Sequence, residues 1–391
     1  MAKLILSCDD YIYSYKGQYY FKNKEWQDFY NRYLRVFEEL RICNRVIEAT
    51  SLSKERVLID NPNIEIINIP IFHGPKQYLM KYRAVGRAMK GAVKGCDAAI
   101  LRLPSTVAQR LSKHVINAKI PYAVEVVFDA KDGVSAASSL MHKLIWLMID
   151  KKMRNICSKA DGVSCVTEHY LQKRYYSVKE SHFSGHYSTL ALNKDFFTSP
   201  RTYPDHTPLT IAHVDLQIGL HSRKGTDKLL LALEQLKCRG IVVNVSFAGE
   251  DRGDNAQKIL EFARKHNLEG QVKCVGYLTR EQLNNFLDQA DLFVLPTQAE
   301  GLPRVIIEAI AKGLPTITTP SSGNPELISS DFLVEYSDVH TLAAKIEKLI
   351  NDSDCYEHTS KRNFEHSLKY EASILQKRRD IFYQTLRSLV K

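Results

Sequence analysis

Two glutamates and a run of small residues carry the densest chemical information in this chain. In the segment QADLFVLPTQAEGLPRVIIEAIAKGLPTITTPSSGNPELI, residues 289–328, an apolar strand ends at Pro296 and a loop of small and polar residues follows. Gly301 lets the backbone approach a ligand closely. Pro303 stands where a helix can begin, because its fixed φ and missing N–H suit a first turn. A helix N-terminus attracts a diphosphate, since unpaired N–H donors and the helix dipole both favour negative charge. Beside such an anion the Glu300 carboxylate is disfavoured unless it accepts hydrogen bonds, and sugar hydroxyls are suitable donors. Glu308, about two turns inside the helix, is placed to take a diol such as that of a ribose.

A loop of this kind needs a strand before it and a helix after it, repeated through the domain. The second half supplies them, with strands expected over 209–214, 242–248, 272–275, 292–295 and 315–319. Helices are expected over 226–237, 256–265, 280–289 and 305–312. The first half alternates less regularly, with strands over 3–8, 64–69, 98–103, 122–127 and 162–166 and helices over 26–40, 79–93 and 140–158. The stretch 199–207, SPRTYPDHT, holds two prolines and no apolar period, so it reads as a linker. Two doubly wound α/β domains follow, 1–200 and 201–370. A closing helix over 371–391 carries the amphipathic run 374–389 and is expected to cross back onto the first domain.

Composition narrows the function. With 391 residues, 44% hydrophobic and 25% charged, the chain is an ordinary globular protein of two-domain size. It has no apolar run of membrane-spanning length and no signal-peptide pattern at its start, which points to the cytoplasm. Eight scattered cysteines, without a CxxC pair, suggest neither a zinc site nor a disulfide framework. The net charge of +10 comes from the first half, where 30 basic residues face 19 acidic ones against 24 and 25 in the second. Such asymmetry suits an anionic partner, which is an anionic membrane surface, a phosphorylated acceptor or nucleic acid, with a merely soluble basic face as the alternative. Nucleic acid is disfavoured because no recognisable module interleaves aromatics with the basic residues. The absence of GxGxxG argues against a dinucleotide-dependent dehydrogenase.

The segment EGLPRVIIEA, with Glu300 and Glu308 in an E-x7-E spacing, resembles the retaining family 4 glycosyltransferases of GT-B fold. The resemblance extends through AHV and RKGTDKLLLAL (212–233), VSFAGE (245–250), VKCVGYL (272–278), ADLFVLPT (290–297) and GLPTITT followed by GNPE. It implies two Rossmann-like domains facing a central cleft, the first for the acceptor and the second for a nucleotide-sugar donor. It also implies that Glu308 binds the ribose, that Glu300 with the backbone of Gly301, Leu302 and Pro303 binds the sugar hydroxyls, and that Tyr277 and Leu278 meet the base. Members usually bring an Arg and a Lys to the diphosphate. Lys224 matches the Lys, but Gly219 stands where the Arg belongs, and Arg223 is the candidate substitute. For Arg223 and Lys224 the alternative is a basic loop without a ligand.

In the first half AILRLPS, PYAVEVVFDA and ADGVSCVTEHYLQKRY carry a weaker likeness to the same family. The catalytic His that many members place after the strand over 122–127 is missing, and Asp129 is the candidate facing the donor sugar, with helix capping as its alternative. Arg102 is a candidate phosphate or acceptor contact, or a plain salt bridge. Lys16 and Gly17 occupy an early loop, 13–18, expected near the donor. The triplet Asp352-Ser353-Asp354 reads as a turn rather than a metal site, so no metal or cofactor is expected and the nucleotide sugar is a substrate. The expected reaction moves a sugar from a nucleotide diphosphate, UDP first and GDP second, to a surface-glycan hydroxyl in a saccharide or lipid-linked saccharide acceptor. The alternatives are a non-catalytic nucleotide-sugar or glycan-binding relative and, less favoured, a nucleotide-sugar epimerase.

Overall fold

The apolar run at the start of the chain forms strand β1 (Lys3–Ser7), in which Leu4, Ile5 and Leu6 have no exposed surface. A computed structural model describes residues 1–135 and 139–390. The chain divides into two units: Met1–Lys131, Leu144–Tyr187 and Gln376–Lys391 make the first, and Asp132–Lys143 with Ser188–Leu375 the second. The last residues of the chain thus belong to the first unit.

In the first unit β1 lies between β4 (Glu39–Glu48) and β7 (Ala98–Leu103), parallel to both. Beyond β7 the parallel order continues through β8 (Tyr122–Val126), β9 (Gly162–Cys165) and β10 (Phe183–His186). On the other side β4 also pairs with β6 (Ile64–Pro70). Chain order therefore reverses at β1, the arrangement of a doubly wound sheet. An antiparallel hairpin, β2 (Tyr11–Tyr15) and β3 (Gln18–Phe21), adds β5 (Val57–Leu58) at its edge.

Three local expectations fail here for physical reasons. The helix expected over 26–40 stops at Leu34, and Leu40 lies in β4. That strand was hidden by Arg41 and Arg45, which are paired: Arg41 donates to Glu65 at 2.9 Å and Arg45 to the Phe72 carbonyl at 3.0 Å. The helix expected over 79–93 is two shorter ones, Gly74–Met80 and Tyr82–Ala88, separated at Lys81. The early loop over 13–18 is the β2–β3 hairpin, whose two-residue turn holds Lys16 at φ 49° and Gly17 at φ 80°. Both central residues of such a turn need positive φ, so Lys-Gly is a turn signal in its own right.

One buried carboxylate ties this unit together. Glu125 on β8 accepts the hydroxyls of Tyr33 at 3.0 Å, Tyr187 at 2.9 Å and Tyr383 at 2.7 Å, with Arg102 at 3.8 Å. Tyr383 belongs to the terminal helix Ala372–Ser388, so the end of the chain is fixed by a charge-assisted bond to the sheet.

The second unit is a five-stranded parallel sheet in the order β13-β12-β11-β14-β15. Its strands are β11 (Leu209–Gln217), β12 (Val243–Glu250), β13 (Val272–Gly276), β14 (Leu292–Leu295) and β15 (Thr316–Thr318). All four residues of β14 have no exposed surface, as a central parallel strand covered on both faces requires. Chain order reverses between β11 and β14, so the crevice at the carboxyl ends of these two strands is where such a sheet binds ligands. The closing region is two helices, Ser353–Ser367 and Ala372–Ser388. Asp352 caps the first by accepting the Cys355 N–H at 2.9 Å, which is the turn role expected of that triplet.

Just after β1, Asp10 is 4% exposed and accepts the Tyr30 hydroxyl at 3.4 Å. Burial lifts its carboxyl from an ordinary 3.8 to about 7. Between those values the folded chain keeps a proton that the unfolded chain has lost, so stability falls as pH rises through about 7. Asp10→Asn cannot ionise and should remove this loss, on the order of a few kcal/mol. The check is the thermal midpoint across pH: the wild-type midpoint should fall from pH 5 to pH 8 more steeply than the variant's, roughly across that window. Parallel curves would exclude Asp10 as the cause.

Candidate functional site

Three loops meet at the carboxyl ends of β11, β14 and β15. The first follows β11 and ends at Gly225, which holds φ 76° before the helix Thr226–Cys238. A Cβ on Gly225 would lie 2.2 Å from the Pro296 carbonyl oxygen, so only glycine allows this loop to reach the one after β14. The Ser222 hydroxyl accepts the Lys224 N–H at 3.1 Å and the Ser222 carbonyl the Gly225 N–H at 3.0 Å, which sets the turn that presents Lys224.

Backbone bonds then strap the loops together. The Gln298 N–H donates to the Arg223 carbonyl at 2.7 Å and the Thr297 hydroxyl to the same oxygen at 3.3 Å. From the third loop, the Gly323 N–H donates to the Gly301 carbonyl at 3.0 Å. Asn324, fully buried, donates to the Thr318 hydroxyl at 3.1 Å and the Thr319 carbonyl at 3.0 Å. The GNPE turn is therefore a brace for the loop that carries Glu300.

The consequence is one ion pair. The Lys224 ammonium donates to the Glu300 carboxylate, with side chains 20% and 19% exposed. Burial pulls the Lys224 ammonium down to about 8, opposed by Asp215 and assisted by Arg223. A carboxylate in contact favours the charged form and keeps the proton on. After Glu300, Gly301, Leu302 and Pro303 are buried and lead into the helix Arg304–Ala311, which starts at Pro303 without a side-chain cap. Glu308 lies in this helix, 9% exposed. The arrangement offers a cation, a carboxylate and an uncapped helix start within one crevice, which is what an anionic, hydroxyl-bearing ligand requires.

Residues 219–366 match the family model for glycosyl transferases group 1. The fold is that of the GT-B glycosyltransferases. The crystal structure of Anabaena HepE in complex with UDP has a TM-score of 0.65 at 16% identity, covering 99% of this chain and 100% of that one. Protein CapJ of Staphylococcus aureus is 27% identical over 366 residues, 90% of this chain and 86% of CapJ. The amylovoran biosynthesis glycosyltransferase AmsK of Erwinia amylovora is 33% identical over 153 residues, 37% of this chain and 36% of AmsK. These comparisons support a glycosyltransferase, and the family match spans Lys224, Glu300 and Glu308 alike.

Within the second unit the remaining candidates are placed as follows. Arg223 is exposed and its carbonyl, not its guanidinium, is the group committed to the neighbouring loop. Tyr277 is 68% exposed and Leu278 half-buried, just past Gly276 at the end of β13. Two residues that sequence reasoning missed stand on β11 beside the crevice. His213 is fully buried, with Nδ1 2.9 Å from the Val294 carbonyl and Nε2 without a hydrogen-bond partner. Burial pulls its ring down to about 4, so it is neutral. Asp215 acts on the charge of both His213 and Lys224. An acid at the carboxyl end of a switch-point strand was the available signal. Ser322, at φ 49° in the third loop, donates to the Asp132 carboxylate, a pairing that no sequence spacing announces.

The first unit corrects two assignments. Asp129 is fully buried and caps its own helix by accepting the Lys131 N–H at 2.9 Å, while the Tyr175 hydroxyl donates to it at 2.9 Å and Arg174 lies at 3.3 Å. Its Oδ1 thus serves the helix cap that the sequence left as the alternative, while Oδ2 has no hydrogen-bond partner. Arg102 is drawn to Glu125 and lies 4.7 Å from the centre of the Phe29 ring, so it is a buried salt-bridge residue. Gly17 sits at the hairpin tip with nothing within 4 Å of a notional Cβ, so its role is the turn.

Gly225→Ala tests how the crevice is built. The added methyl group meets backbone, not a flexible side chain, and the residue must also keep a positive φ, which together should cost on the order of 1–3 kcal/mol. Thermal unfolding should show a clear drop, whereas Gly240→Ala, also at positive φ but in open space, should show a smaller one. Equal drops would mean that contact with Pro296 does not matter.

Proposed function

We propose that the chain is a retaining glycosyltransferase of family 4 that moves a sugar from a nucleotide diphosphate, UDP before GDP, to a hydroxyl of a surface-glycan acceptor. The Lys224–Glu300 pair at the switch point carries this reading. In it the donor enters between the two side chains. Lys224 turns to the diphosphate, where positive charge stabilises the departing nucleotide, and Glu300 accepts hydrogen bonds from the sugar hydroxyls. Glu308 takes the ribose diol, the backbone of Gly301, Leu302 and Pro303 lines the sugar, and Tyr277 with Leu278 meets the base.

In this mechanism the bond from the anomeric carbon to the phosphate oxygen breaks and the bond to the acceptor oxygen forms on the same face. The acceptor proton passes to the leaving phosphate oxygen. Glu300, bonded to hydroxyls away from the anomeric carbon, orients and does not attack. The buried, capping Asp129 plays no part. HepE, solved with UDP, supports UDP as the first choice, and AmsK, named for amylovoran biosynthesis, supports an O-antigen, capsule or lipid-linked saccharide acceptor. In this reading the enzyme is cytoplasmic and peripheral at the inner face of the cell membrane. No cofactor or metal enters the mechanism.

Gly219, where the family resemblance implies an arginine, favours one second reading: a relative that binds the nucleotide sugar without turning it over. A single series of measurements separates the two. A panel of nucleotides and sugar nucleotides should raise the thermal midpoint with one base, by about 2.7 kcal/mol of stabilisation at a hundredfold excess over Kd, and Glu308→Ala should lose the shift. Glu300→Gln should keep nucleotide binding and reduce transfer by roughly 10²–10³. Binding without transfer to any acceptor selects the non-catalytic relative, and no shift with any nucleotide removes both readings.

A further inference from the structure

The helix Leu140–Ser158 turns part of its apolar residues to solvent over its first half. Its buried positions are Asp150, Met153, Ile156 and Cys157, whereas Leu144, Leu147 and Met148 are 54%, 51% and 67% exposed. Asp150 is not an error in that buried set. It accepts Arg174 at 2.8 Å, the Tyr175 hydroxyl at 2.8 Å and Arg154 at 3.0 Å, so the helix is held by a polar anchor and its hydrophobic stripe is left in water.

A second exposed apolar pair stands on the same side of this unit. Leu79 and Met80, at the end of the helix Gly74–Met80, are 70% and 77% exposed, and Tyr82 opens the next helix. The Arg110 guanidinium lies 3.6 Å from the centre of the Tyr82 ring, and both act on the charge of Lys152. That brings Tyr82 and Arg110 near Lys152 of the helix Leu140–Ser158, so the two exposed apolar groups flank one basic cluster.

The charge around the facet has one sign. Residues 74–94 contain six basic residues and no acidic one, and residues 104–120 contain Arg110, Lys113 and Lys119 without an acidic residue. Lys151 and Lys152 continue the series, while the only acid in the helix, Asp150, is buried and paired. Apolar residues ringed by exposed lysines fit a surface that is negative at its face and apolar beneath, which describes anionic lipid. A second copy of the chain would bring the same positive charge against it. Among the described residues no helix is long and apolar enough to cross a membrane, so the contact is with the surface.

We propose that this facet docks on an anionic lipid bilayer, with Leu79, Met80, Leu144, Leu147 and Met148 entering the headgroup region and the surrounding lysines meeting lipid phosphates. The inference deepens the membrane-side reading above by naming the partner and the residues that meet it. It stands on the first unit alone.

The test sediments the full chain with phosphatidylglycerol vesicles and with phosphatidylcholine vesicles, at low and high salt. Pelleting with the anionic vesicles, release by salt and no pelleting with the zwitterionic ones are expected. Leu147→Glu combined with Met148→Glu should weaken binding by roughly tenfold or more, and Lys76→Ala or Lys151→Ala by roughly fivefold each. All four positions are exposed, and an unchanged thermal midpoint confirms that the variants fold. Absence of pelleting, equal pelleting with both lipids, or full binding by the double glutamate variant would overturn the proposal. So would a dimer in sedimentation velocity that the same variant dissolves, without vesicle binding, since the facet would then belong to a second copy. A chain that pellets with lipid but is stabilised by no nucleotide removes the donor reading and leaves the docking facet. The reverse outcome removes the facet alone.

Discussion

A lysine withdrawn from water must find a negative charge, and the second unit is arranged around that need. Lys224 loses hydration in the crevice, and the Glu300 carboxylate offsets the loss. Because each side chain satisfies the other, neither holds the site open at the cost of an unpaired buried charge. In the proposed function a diphosphate ester replaces Glu300 as the partner of Lys224 while its sugar hydroxyls replace Lys224 as the partners of Glu300. The exchange leaves the count of charge-assisted bonds intact, so binding need not carry the desolvation penalty of two freshly buried ions.

The pair forms only because the backbone lets two loops touch. Gly225 removes the side chain that would strike the Pro296 carbonyl, and the Arg223 carbonyl then accepts both Gln298 and Thr297. Gly323, bonded to Gly301, fixes the far side of the same loop. Positioning thus comes from main-chain bonds with little rotamer freedom, which is how a crevice keeps a cation and a carboxylate in register when it is empty. His213 lies beneath them as a neutral ring, and the same low polarity that lowers it also lowers Lys224.

Much of the second unit was legible because parallel strands buried on both faces read as unbroken apolar runs, with Gly and Pro at their ends. The strand Leu292–Leu295 was read with its bounds intact, and the loop after it disclosed Glu300 and Glu308. The first unit hid its structure where charge enters the core. Arg41 and Arg45 made the central strand Glu39–Glu48 look like the end of a helix, although both guanidinium groups are paired. Asp129 misled in the opposite direction: a carboxylate at a strand's end fits a catalytic role and a helix cap equally well, and only the Lys131 N–H and the Tyr175 hydroxyl decide between them. Contacts such as Ser322 with Asp132 span 190 residues and leave no periodic trace in the sequence.

The same contrast explains how the charge of the chain is distributed. In the second unit, basic residues near the crevice are met by acids, as Lys224 is by Glu300, and the net charge of that half is close to zero. In the first, two of the acids are drawn inward: Glu125 collects three tyrosine hydroxyls and Asp150 holds Arg174 and Arg154. Withdrawing these two acids into the core leaves less negative charge to offset the exposed lysines and raises the positive potential of that surface. Exposed leucine and methionine side chains beside such lysines contribute nothing to folding in water and gain only where water is replaced. The polar anchoring of the helix Leu140–Ser158 through Asp150, together with the buried Met153, Ile156 and Cys157, is what permits this, because it fixes the helix without using Leu144, Leu147 or Met148 to do so.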